Sequence, residues 1–388
     1  FTTSQNNADI TLNNANNAFT GAITLSTTGT SAHANIDGGT TALNIAASSV
    51  GGNLYLRTGN NITDSGTVTV GYGLVATTDA NNGAINLGTL AVGSTVDLTT
   101  HGSGNATVVN DAVLIIAASE VGGNLAATAT TGNILDNGVL TVAGTSSFTT
   151  SQNNADITLN NANNAFTGAI TLSTTGTSAH ANIDGGTTAL NIAASSVGGN
   201  LYLRTGNNIT DSGTVTVGYG LVATTDANNG AINLGTLAVG STVDLTTHGS
   251  GNATVVNDAV LIIAASEVGG NLAATATTGN ILDNGVLTVA GTSSFTTSQN
   301  NADITLNNAN AFTGAVSLNT TGSSAHATVV DASGLNLGAS TVGGNLSATA
   351  TTGNISDSGN LTIAGASTFI TGASGSNIIL DSSGNAFS

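Results

Sequence analysis

The chain has 388 residues, a net charge of −18 and only two cations, Arg57 and Arg204, against 20 acidic residues. That balance excludes a nucleic-acid binder, which needs basic residues to displace counterions, and argues against adsorption to an anionic membrane surface. Charged residues make up 6%, too few for a charge-expanded disordered polymer, and the absence of Cys leaves the redox compartment open.

Residues 1–147 and 148–294 are identical, and a third, shortened copy occupies 295–388. No initiator Met, signal peptide or apolar spanning run is visible, and both ends fall in mid-repeat, so the chain reads as a segment of a longer polypeptide. Strands that follow a turn begin near Ala22, Asn53, Tyr72, Ser94, Asn124 and Thr145. Each division holds an alternating strand ("NLYLR", "NLAAT"), a Thr/Gly/Asn turn, a short strand ("ITDSG", "ILDNG") and a third strand leading back to Gly. Three short strands and three turns per division predict a parallel β-helix of about 24 residues per coil and about 16 coils, forming one continuous segment over 1–388. Period-two alternation predicts Leu54 and Leu56 inward, with Tyr55 and Arg57 outward. Phe295 and Phe369 lie 74 residues apart, about half of 147, so the third copy reads as having lost about three coils and rejoined in phase.

The stretches "VGGNLAATATTGNILDNGVLTVAG" and "ADITLNNANNAFTGAITL" resemble the repeats of filamentous haemagglutinin-like large exoproteins, secreted surface adhesins of Gram-negative bacteria. The matching residues are Gly51, Gly52, Asn53 and Leu54; Gly132, Asn133 and Ile134; and Leu140, Val142 and Gly144. The resemblance implies a right-handed β-helix, an extracellular location at the cell surface, and export through an outer-membrane two-partner secretion transporter. It names no receptor.

The "VGG" glycines lack the following helix or P-loop Lys that phosphate binding needs, and read as tight corners. Asp37, Asp64, Asp111 and Asp136 end second strands. Stacking is expected to bring Asp37 near Asp64 and Asp111 near Asp136, as weak Ca²⁺ candidates or, less favoured, a glycosidase-type carboxylate pair. The five His residues, among them His33 and His101, read as loop residues. Asn60, Asn82, Asn105, Asn133 and Asn154 recur at first turns and are expected to bond to one another along the axis. The adjacent Thr pairs run into turns, so a flat two-row Thr face suited to ice is not expected. No catalytic residue or cofactor is assigned beyond the Ca²⁺ candidates. The reading is a non-enzymatic structural or adhesive fibre, with self-association into a sheath, surface layer or filament as the alternative and a polysaccharide-active β-helix as the third class.

Overall fold

The computed structural model describes residues 1–79, 82–226 and 229–388. Every regular element among them is a β-strand, and the strand pairings are parallel. The chain divides into two compact units, Phe1–Gly199 and Asn200–Ser388. Each is a parallel β-solenoid, and the coils number about 18 at about 21 residues each.

In the first unit the chain passes back and forth between two sheet faces, here called I and II. Side chains alternate on both. Leu54, Leu56 and Thr58 on face II are buried while Tyr55 and Arg57 face out, as the pattern predicts. Neighbouring coils hold the same inward column: Leu54 pairs with Ala34 and Leu74, and Leu74 with Val96. Burial of such an aliphatic side chain stabilises by about 1.5–3 kcal/mol, and most strands bury at least one.

The coil is shorter than the expected 24 residues, and one repeat holds seven coils where six were expected. On face I the register runs Ile23–Ile45, Leu43–Ile62, Ile62–Ile85, Ile85–Ala106, Ala106–Leu125, Leu125–Ser146 and Ser146–Ile170. The missing coil is hidden in the two long divisions, each of which spans a coil and a half. Their "LNIAASSV" and "LIIAASEV" stretches look like single strands. Each is two three-residue strands, Leu43–Ile45 with Ser48–Val50 and Leu114–Ile116 with Ser119–Val121, bent at the intervening Ala pair. They occupy a whole face and send the next strand to the opposite one. "VGGNLYLRT" therefore contributes Leu54–Thr58 to face II, whereas "VGGNLAATA" contributes Leu125–Ala129 to face I.

The same shift corrects the reading of the third copy. In the second unit Phe295 pairs with Ala274 and Leu318 on one face, and Phe369 pairs with Ala348 on the other. The 74-residue step is three and a half coils, so the pattern rejoined half a coil out of phase. Both faces bury the same kinds of residue, which lets the stack accept this.

The corner glycines act as expected. A Cβ on Gly51 would lie 2.2 Å from the Gly29 carbonyl oxygen, and one on Gly71 2.3 Å from that of Gly51. Backbone rests directly on backbone at this corner, and any side chain would push the coils apart.

Candidate functional site

The four aspartates are not brought together. Asp37 ends Ala34–Asp37 on face II, and Asp64 ends Ile62–Asp64 on face I. Asp111 follows the face I strand Ala106–Asn110, while Asp136 lies on face II. The half-coil shift separates each expected pair. Their carboxylates bind the protein itself. Asp37 Oδ1 accepts the Gly39 N–H at 2.8 Å. Asp64 accepts the Gly88 and Thr89 N–H groups at 3.0 and 2.7 Å, and the Thr89 hydroxyl at 2.9 Å. Asp111 accepts the Thr130 hydroxyl at 2.6 Å, and Asp136 accepts the Asn161 N–H at 3.0 Å and the Asn164 amide at 2.7 Å. Three of the four thus clamp one coil to the next. Among the described residues no group of three or more His, Asp or Glu converges as a metal set.

The corner asparagines also join coils, by a different bond from the one expected. Asn53 Oδ1 accepts the Gly73 N–H, Asn105 accepts that of Asn124, Asn124 that of Thr145, and Asn133 that of Asp156. Each amide thus reaches the backbone one coil ahead and does not meet another amide. Asn60 departs from the rule and accepts the neighbouring Asn61 N–H. Asp and His serve at the same position. Asp9 accepts the His33 N–H at 2.8 Å, and His33 Nδ1 accepts the Asn53 N–H at 2.9 Å, which places the ring proton on Nε2. His101 does the reverse, its Nδ1–H donating to the Thr78 carbonyl at 2.6 Å. Inside the corner, buried Thr27, Thr78 and Thr100 hydroxyls donate to the Ala32, Gly83 and Gly104 carbonyls. Such bonds contribute about 1 kcal/mol each.

Arg57 and Asp79 form an ion pair at 3.1 Å. The hydrogen bond and charge of Asp79 raise the guanidinium above its ordinary range, with a smaller contribution from Asp37, its register neighbour. Both side chains remain largely exposed, at 62% and 40%. Arg57→Ala is therefore expected to change stability by less than about 1 kcal/mol; thermal unfolding at low and high salt checks this.

Sequence reasoning passed over Asp97 and Glu120. Asp97 faces outward between Thr95 and Thr99 on face II, beside Val75, with no hydrogen-bond partner among the described residues, and burial pushes its carboxyl up. Glu120 sits one coil on, paired in register with Thr99. In the second unit the equivalent Asp244 and Glu267 line an open depression of about 310 Å³ together with Thr246, Ala265 and Ser266. The signal was available: an acid in the middle of an alternating strand, "TVDLT". Because the folded value is raised, the folded state binds the proton more tightly than the unfolded one. Asp97 therefore favours folding below the ordinary carboxylate range, and that contribution is lost as pH rises through the raised value. Asp97→Asn together with Asp244→Asn should raise the melting temperature at pH 7 more than at pH 4, read by calorimetry at both.

A family model, described as repeats of unknown function (DUF5649), matches residues 1–26, 31–87, 103–173, 178–234, 250–319 and 324–388. The chain belongs to this family. Successive matches from residue 31 onward start 72, 75, 72 and 74 residues apart, so the family's unit is half of the 147-residue repeat. Within the first unit that is three and a half coils, which is why the matches beginning at 31 and 103 put the same motif on opposite faces. No curated protein and no solved structure matches the chain significantly.

Proposed function

We propose that the chain is a structural segment of a secreted bacterial surface exoprotein, a stiff fibre that carries load or projects a binding tip from a Gram-negative cell. The observation that supports this is where the polar chemistry goes. The corner Asn, Asp and His side chains, the Thr27 and Thr100 hydroxyls that accept the Gly51 and Gly122 N–H groups, and three of the four candidate Asp carboxylates hold neighbouring coils together. A family unit added to such a stack brings its own coil-to-coil bonds and needs no new fold. Export by a two-partner transporter follows from the resemblance to the large exoproteins.

Electron microscopy of the 388-residue chain, and of a version lengthened by one 147-residue repeat, should show unbranched fibres whose length grows with the insert. Antibody to the chain should label intact cells, with the label lost on protease shaving. Labelling only after permeabilisation would overturn the surface assignment, and release of reducing ends from a glycan panel would favour the enzymatic reading.

A further inference from the structure

Every tyrosine and every cation of the chain falls in one stretch, residues 55–72, or in its copy at 202–219: Tyr55, Arg57 and Tyr72, then Tyr202, Arg204 and Tyr219. The fold does not require them. In the family unit that begins at 103 the equivalent positions hold Ala126, Thr128 and Gly144, and in the one that begins at 324 they hold Ser347, Thr349 and Gly365. Leu125–Ala129 and Leu346–Ala350 form the same five-residue strand as Leu54–Thr58, with the same alternation of inward and outward residues. Three large side chains that are present together in one unit and absent together from the next serve something other than coil stacking.

Within the first unit Arg57 lines an open cavity of about 500 Å³ together with Asn13, Asp37, Thr40, Gly59 and Asp79. The Arg57–Asp79 pair uses Nε and Nη2 of the guanidinium, and Nη1 has no partner among the described residues. Asp37 is only 8% exposed, and its Oδ1 is engaged by the Gly39 N–H, which leaves Oδ2 without a partner among the described residues. Tyr55 stands two residues before Arg57, outward on the same strand. Its hydroxyl accepts the Asn53 amide at 3.0 Å, and Asn53 is itself tied to the Gly73 N–H at 2.9 Å. A hydroxyl bonded to the residue two places back holds the ring along its strand, so the aromatic surface is set before anything binds. Tyr72 lies one coil on, 51% exposed, at the corner where its N–H meets the Gly52 carbonyl. From Asn53 to Gly59 the row is about 20 Å long.

We infer that this row is a binding site for a neutral oligosaccharide, with one sugar ring laid on Tyr55 and the hydroxyls of the next in the polar cavity at Arg57. Charge sets the class of ligand. An anion meets Asp37, Asp79 and a chain of net charge −18, and a cation meets Arg57. An apolar ligand strips water from the guanidinium and the carboxylates and returns no hydrogen bond. A polyhydroxyl ligand both donates and accepts, so it serves Nη1 of Arg57 and Oδ2 of Asp37 at once, and its C–H face suits the electron-rich face of a tyrosine ring. The second unit repeats the parts: the Tyr202 hydroxyl accepts the Asn200 amide at 3.0 Å, and Arg204 pairs with Asp226 at 3.3 Å. The inference goes beyond the fibre reading, because a fibre without a sugar site would leave that reading intact.

The chain has no Trp, and its four Tyr all lie in these two stretches, so tyrosine emission reports on the site directly. The probes are neutral hexose and N-acetylhexosamine oligomers, with sulfated and sialylated oligomers alongside, titrated into the 388-residue chain. At least one neutral oligomer should change the emission saturably. Tyr55→Ala with Tyr202→Ala, and separately Arg57→Ala with Arg204→Ala, should weaken its binding about tenfold or more by calorimetry, with circular dichroism confirming the fold of each variant. Tyr55→Phe with Tyr202→Phe keeps the rings and should stay within about threefold of wild type. Thr128→Ala with Thr275→Ala, at the position equivalent to Arg57 in the other family unit, should bind as wild type does. Response to none of the neutral oligomers, preference for the sulfated or sialylated ones, or equal affinity of the wild type and the Tyr55→Ala double variant would each overturn the inference.

Discussion

Phe148→Ala should lower stability by about 3–5 kcal/mol, the range for removing a buried aromatic ring. Phe148 and Phe166 are both 0% exposed and meet edge to face, with centroids 6.1 Å apart and planes at 81°. Phe148 lies on face I and Phe166 on face II, so the ring pair spans the interior. The coil around them has little else of that size to fill the void. The counterpart Phe1 is 55% exposed, and Phe1→Ala should cost less than about 1 kcal/mol. Urea titration of the two variants measures the difference. Equal midpoints would mean that the interior closes around the missing ring.

Excising residues 34–105 should leave a folded solenoid. The cut joins His33 to Ala106 and recreates the junction that the third copy already carries at His326 and Ala327. There the strand Ala327–Asp331 pairs in register with Leu346–Ala350 and buries Ala327, Val329 and Asp331. Removing one residue more, 34–106, should fail. Alternation has a period of two, so Thr107 and Val109 would turn inward while Val108 and Asn110 turned out. Burial of the Thr107 hydroxyl without a partner costs about 1–3 kcal/mol on the protein scale, in addition to the lost packing of Val108. Cooperative melting of the first variant, with a broad or absent transition in the second, is the expected calorimetric result. If both melt alike, register at this junction does not govern folding.

The third copy offers a natural comparison at a smaller scale. Its Phe pair is 17 residues apart where the other pairs are 18. Loss of one Asn turns the two strands Ile157–Leu159 and Ala165–Phe166 into the single strand Ile304–Phe312. The ring contact survives at 5.9 Å. A loop on the outside absorbs the deletion, and the inward residues keep their places.

The alternating runs alone determined the parallel solenoid class, the repeat lengths and the side on which each strand residue falls. Leu54, Leu56, Tyr55 and Arg57 all lie where the pattern puts them, because side-chain direction along a strand is set by local backbone geometry. The tertiary structure decided what depends on counting residues around a whole turn. The bend at the Ala pair in Leu43–Val50 and Leu114–Val121 adds half a coil, and from it follow the seven coils per repeat and the separation of Asp37 from Asp64. It also decided the partners of Asp64, Asn53 and His33, since a side chain that binds backbone 20 or more residues ahead leaves no local mark in the sequence. Local sterics are written residue by residue, whereas register between coils is the sum of every loop and strand in the turn.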